Sequence, residues 1–238
     1  MKSMDKKVSA KNRVVIKLSG SIFKQNTEAQ TIHKYAKMLS TLTYKVQPVV
    51  ITGGGSMARY FINIARNLGS NESNLDIMGI EVSRLNARLL IAALGRQAYS
   101  QVPKNLEEVA TATDSGKIVV AGGLHPGQST NATSALIAET VEASRFVNAT
   151  DVNGIYDSDP NTNRAAKLLK QISVRECMEI LRTESSMAGT YDLMDIVALK
   201  VIERSKIPTI VIRSDVENIK MAVGNTRSIG TEILVVKK

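Results

Sequence analysis

Lys17 stands near the end of an apolar run, RVVIKLSGS (residues 13–21), among Val14, Val15, Ile16 and Leu18. A buried ammonium without a partner is costly or loses its proton, and no carboxylate is adjacent in sequence to meet it. The chain supplies glycine-rich stretches that suit an anionic ligand instead. In TGGGSMAR (52–59), bare backbone at Gly54 and Gly55 can approach a phosphate at the start of a helix, with Arg59 adding a guanidinium. In GGLHPGQSTNAT (122–133), glycines and a Pro-Gly turn lead into Ser129, Thr130 and Asn131, more polar groups than capping one helix requires. A lysine where such loops converge can stabilise charge spreading over a transferring phosphoryl group. Each feature also has a plainer explanation: a tight turn, a capped helix, a lysine reaching from a strand end to water. The third polar stretch, TDVNGIYDSDP (150–160), reads as an Asn-Gly turn with solvated acids, or as a nucleotide loop using Thr150, Tyr156 and Asp159. Neither G-x-G-x-x-G nor G-x-x-x-x-G-K-[ST] occurs, so the Rossmann fingerprint and the P-loop are excluded.

The elements that must carry these loops alternate between strand and helix. Val14–Leu18, Pro48–Thr52, Lys117–Ala121, Arg145–Thr150, Thr209–Arg213 and the closing IGTEILVV read as strands. Thr27 with Gln30 suggests a capping box for a helix bearing Ile32, Tyr35, Ala36 and Leu39. Ser56 is expected to cap the helix that stops near Gly69, and Asn105 with Glu108 to open another. Leu75–Leu94 reads as one long helix, apolar enough to be buried or to face another subunit. Further helices are expected over Ala132–Ala143, Val174–Leu181 and Tyr191–Lys206. Such alternation predicts an α/β fold with a mostly parallel sheet, in which ligands sit beyond the carboxyl ends of the strands. LSGS (18–21), after the first strand, and the three polar stretches above all fall there.

The chain of 238 residues is expected to form a single domain over 13–238 after a frayed basic stretch, 1–12. Lys and Arg total 31 against 22 Asp and Glu, a formal charge of +9. The cations are spread rather than clustered and there is no Trp, which favours small polyanions over nucleic acid. The longest apolar run, Leu89–Leu94, cannot span a bilayer. The lone Cys177 falls with Val174, Met178 and Leu181 on a helical face and reads as core. Two Asn-Ala-Thr sequons, at Asn131 and Asn148, would matter only outside the cell, and the expected location is the cytoplasm.

In order, IKLSGS, ITGGGSMAR, LDIMGIEVSRLNA, GGLHPGQSTNATSALIAE and NATDVNGIYDSDP resemble the amino acid kinase superfamily, and within it the archaeal-type uridylate (UMP) kinases, from about Val14 to the terminal GTEI. The resemblance implies a three-layer αβα sandwich, assembled as a homohexamer (a trimer of dimers), and transfer of the ATP γ-phosphoryl group to UMP. It places Lys17, Leu18, Ser19 and Gly20 at the ATP phosphates, with Lys17 assisting transfer. Gly55, Arg59, Thr150, Tyr156 and Asp159 join the ATP side. Gly54, Asp76 and the loop Leu124, His125, Pro126, Gly127, Gln128, Ser129 and Thr130 fall on the UMP side. Mg2+ is expected to ride on ATP rather than on a protein metal site. One position departs: many superfamily members carry Asp where this chain has Asn131, so no general base is expected there. A sister kinase of isopentenyl phosphate or an amino acid, and a non-catalytic nucleotide or oxyanion store, are the alternatives.

Overall fold

A computed structural model describes residues 12–158, 160, 163–184, 194–224 and 229–235. The chain runs through β1 (Arg13–Leu18), a 3-10 turn (Gly20–Ile22), α1 (Ala29–Leu42), β2 (Gln47–Thr52), α2 (Gly55–Asn67), α3 (Glu72–Leu94), α4 (Leu106–Thr113) and β3 (Val119–Ala121). It continues through α5 (Thr130–Thr140), β4 (Arg145–Thr150), β5 (Gln171–Ser173), α6 (Val174–Glu184), α7 (Ile196–Ser205), β6 (Thr209–Arg213), α8 (Val216–Val223) and β7 (Thr231–Leu234).

The sheet has seven strands in the order β3-β2-β1-β4-β6-β7-β5. The first five in that order are parallel neighbours, and β7 turns antiparallel against β6. Successive side chains point to opposite faces of a strand, and the buried strands obey this. Val14, Ile16 and Leu18 join a core with α1, α3 and α8, whereas Val15 joins the opposite core with α4, α5 and α7. The result is the αβα sandwich read from the sequence. Lys17 shares the face of Val15, the side covered by α5 and α7.

Several local expectations are corrected. No side chain caps α1; the Thr27 hydroxyl instead donates to the Ile22 carbonyl, so the Thr27–Gln30 box does not form. Gly54, not Ser56, is the N-cap of α2. The long helix starts at Glu72 with Asn71 as cap, which moves Asp76 beyond the first turn. The short strand β5 has no clear alternating signature and was not expected. Asn105 and Glu108 do form a reciprocal cap on α4, and Ser129 caps α5. The start expected at Tyr191 and residues 1–11 lie outside the described residues. Cys177 is packed in the core, where burial pushes its thiol up to about 12. Asn131 and Asn148 are both buried, so neither sequon is open to modification in the folded chain.

Candidate active site

The strand order reverses between β1 and β4, since β2 and β3 extend the sheet one way from β1 and β4 and β6 the other. Parallel sheets open a crevice at such a point, beyond the carboxyl ends of the strands. Lys17, Leu18, Ser19 and Gly20 close one side of it, and Thr150 ends β4 on the other. Lys17 is only 9% exposed. Leu18 and Leu124 are core side chains, so each can offer a ligand its backbone alone.

The loops after β1 and β2 touch backbone to backbone. A Cβ on Gly20 would fall 2.2 Å from the Gly55 nitrogen, and one on Gly55, whose φ is +64°, would fall 2.2 Å from the Gly20 carbonyl oxygen. Gly54 is closed in by Ala58, with 2.5 Å to its Cβ. Only glycine permits this approach, and it leaves the amides at the start of α2 bare. Arg59 follows on the exposed surface of α2.

Helix α3 holds both the glycine turn and the loop before α5. Asn86 Nδ2 donates to the Gly53 carbonyl at 2.8 Å, and the Gly123 amide donates to Ser83 Oγ at 2.8 Å. Arg84 reaches the carbonyls of Gly123 and Leu124 at 3.1 and 3.3 Å. Roughly two turns before Ser83, Asp76 accepts the Gly127 amide at 2.7 Å. Sequence reasoning singled out Asp76 but not Ser83, Arg84 or Asn86. For Ser83 and Asn86 a signal was available: with Asp76 they recur at helical spacing on one face of α3.

His125, Pro126 and Gly127 form the exposed tip of that loop, and Gln128, Ser129 and Thr130 descend into α5. Ser129 Oγ donates to the Asp195 carboxylate, which also caps α7 through the Ala198 amide at 2.8 Å. Asp195 thereby ties the loop to α7. Among the described residues, no protein group bonds Gln128 Oε1, Asn131 Oδ1 or Thr133 Oγ1, all buried near this end of α5. Buried polar atoms are seldom left so, and amide oxygens suit a ligand that brings donors.

On the other side of the crevice, the Thr150 hydroxyl lies 3.2 Å from the Ile212 carbonyl and 3.1 Å from that of Val152. Tyr156 is half-buried and bridges to Leu168; Asp159 lies outside the described residues. The residue that sequence reasoning left without a role is Asp151. Its Oδ1 accepts Ser19 Oγ at 2.7 Å and Ser21 Oγ at 2.5 Å. Partial burial alone would raise its carboxyl, but the Ser21 and Ser19 hydroxyls and the charges of Lys17 and Lys24 together hold it below the usual aspartate value. Lys17 therefore does have a carboxylate nearby, contributed 134 positions along the chain (151 less 17).

A nested pair of glycine loops, a lysine at a strand end and a helix start thus lie together beyond the carboxyl ends of the strands. Residues 12–213 match the amino acid kinase family, and the chain belongs to that family. It is 38% identical to a uridylate kinase of Methanobrevibacter smithii over 93% of this chain and 99% of that protein. It is 42% identical to a uridylate kinase of Methanoculleus marisnigri over 93% of this chain and 95% of that one. The solved uridylate kinase of Archaeoglobus fulgidus superposes with a TM-score of 0.84 at 38% identity, covering 93% of this chain and 99% of that structure.

Proposed function

We propose that the chain is a UMP kinase, transferring the γ-phosphoryl group of ATP to UMP to give ADP and UDP on the way to UTP and CTP. What carries the reading is identity of 38% or more to uridylate kinases over nearly the whole chain. An oxygen of the UMP phosphate attacks the γ-phosphorus, and the bond from that phosphorus to the β,γ-bridging oxygen breaks. Because a phosphate monoester dianion is already a nucleophile, no base is needed, which fits an amide at Asn131. Lys17 meets the charge on the transferring group. Ser19, Gly20, Gly55 and Arg59 receive the ATP phosphates on bare amides and a guanidinium, and Thr150, Tyr156 and Asp159 receive its nucleoside. Gly54, Asp76 and residues Leu124 to Thr130 receive UMP.

Magnesium would enter on ATP. Among the described residues no group of three or more His, Cys, Asp or Glu could hold a metal ion. A dication whose ligands are substrate oxygens and water needs no such cluster. No described helix is long and apolar enough to cross a membrane.

The test is ADP release with UMP, set against isopentenyl phosphate and buffer; release with UMP alone is expected, and turnover of isopentenyl phosphate instead would select the sister kinase. Asp76→Asn probes the substrate directly. Asp76 already accepts the Gly127 amide, and its remaining lone pairs can accept ribose hydroxyls. Hydrogen bonds to charged groups contribute roughly 1.5–3 kcal/mol, about tenfold to a hundredfold in affinity. The KM for UMP should rise by that order while the KM for ATP barely moves. Wild type should prefer UMP to dUMP, less so in the variant. A fall in melting temperature with both KM values intact would reduce Asp76 to a loop anchor.

We also propose a homo-oligomer, a hexamer built from dimers. Tyr60 and Ile64 on α2 and Leu85 and Leu89 on α3 are each more than two-fifths exposed, and the two helices pack side by side. Leu85 and Leu89, at i,i+4 on α3, form an exposed apolar stripe that another copy would bury. A Leu85→Glu, Leu89→Glu double variant is expected to sediment as a smaller species, and an unchanged mass would exclude this face.

A further inference from the structure

We propose that Asp151 is the positioning residue for Lys17: its carboxylate ties the turn after β1 to the loop after β4 and so fixes the strand end from which Lys17 reaches the crevice. This role rests on the reading of Lys17 as the cation that meets the transferring phosphoryl group.

A carboxylate beside a crevice built for polyanions would repel the ligand unless its charge were matched. Here it is matched locally. Oδ1 takes hydrogen bonds from Ser19 Oγ at 2.7 Å and Ser21 Oγ at 2.5 Å, and the Ser21 amide donates to Ser19 Oγ at 3.2 Å. The ammoniums of Lys17 and Lys24 supply the opposite charge. An ionised carboxylate only accepts, so it can order both hydroxyls of the turn at once. Below this point the two sides are joined by strand pairing, with Lys17 opposite Asn148. Beyond the strand ends, Asp151 is what joins the segment Ser19–Ser21 to the loop after β4. Asn131, at the start of α5, is an amide and brings no negative charge of its own. Lys17 has a long, flexible stem, and the hydrogen bonds to Ser19 and Ser21 fix the turn just beyond the strand end that carries it.

A double-mutant cycle on the full chain tests this, with Asp151→Asn, Lys17→Met and the pair, reading kcat, both KM values, Mg2+ dependence and melting temperature. Asp151→Asn is expected to lower kcat roughly tenfold with the KM for UMP unchanged, and to cost nothing further in the Lys17→Met background, because groups acting as one unit are not additive. Asp151→Glu, which keeps the charge, should recover part of the rate. Should Asp151→Asn fail to fold, Ser21→Ala leaves the carboxylate in place and should show the same loss, smaller, with the same non-additivity. An equal loss in both backgrounds would overturn the proposal alone, as would a rise in the Mg2+ needed for half-maximal rate, which would make Asp151 a metal contact. Full turnover by Lys17→Met would overturn the reading of Lys17 and this role with it.

Discussion

Lys17→Met is expected to fold with a near-native melting temperature and to lose about 10²–10³ in kcat, the order seen when one preorganised electrostatic donor is removed. Methionine keeps the buried stem, so the core facing α5 and α7 is not opened by a cavity. Asp151 keeps both serine hydroxyls, so the turn after β1 retains its anchor. The KM values should move little, since the ammonium acts chiefly on charge that develops in the transition state. Unchanged kcat would make Lys17 a lysine that reaches water from a strand end.

The second large effect is expected from Gly20→Ala. The added methyl meets the Gly55 nitrogen at 2.2 Å and its Cα at 2.4 Å, and both are backbone atoms that no rotamer change can move aside. The loops after β1 and β2 must separate, which takes the bare amides at the head of α2 out of place. Overpacking of this kind costs about 1–3 kcal/mol, which for a chain of this size lowers Tm by roughly 2–4 °C per kcal/mol. The KM for ATP should rise with it. Gly116→Ala is the control: its φ is +67° but nothing lies within 4 Å of the new carbon. It should carry only backbone strain, about 1–2 kcal/mol, and leave KM alone. If Gly20→Ala matched Gly116→Ala on both readouts, close contact between the two loops would not be needed.

The layered fold was legible because the buried strands carry uninterrupted apolar runs, as in Val14–Ile16 and Val49–Ile51, and the helices carry regular apolar faces. Helix starts were less legible. Thr27 and Ser56 have capping chemistry, but the first is drawn back to Ile22, and the second falls inside a helix that begins where glycines allow close approach to Gly20. The loops of the candidate site were legible as loops, since glycine and polar residues cluster after strands. Their cross-links were not. Asp151 to Ser19, Ser129 to Asp195 and Asn86 to Gly53 join residues 132, 66 and 33 positions apart, and local spacing carries no trace of such pairs. Arg84 and Asn86 were overlooked because a helix rich in Leu and Ile invites a reading as packing alone.

The reversal of strand order between β1 and β4 also bears on how the chain comes to be active. β1 pairs with β2 about one helix away in sequence, but its pairing with β4 joins Val14 to Arg145. Contacts so distant along the chain require a large loop to close before they return any stabilisation, and they slow folding. The β1–α1–β2 unit can assemble early, on local contacts. The side of the crevice that brings Thr150 and Asp151 to Lys17 must wait until the 99 residues beyond Thr52, through Asp151 (151 less 52), have been made and brought back. A nascent or truncated chain can thus hold half of the sheet, with Lys17 and the glycine turn in place, and remain inert.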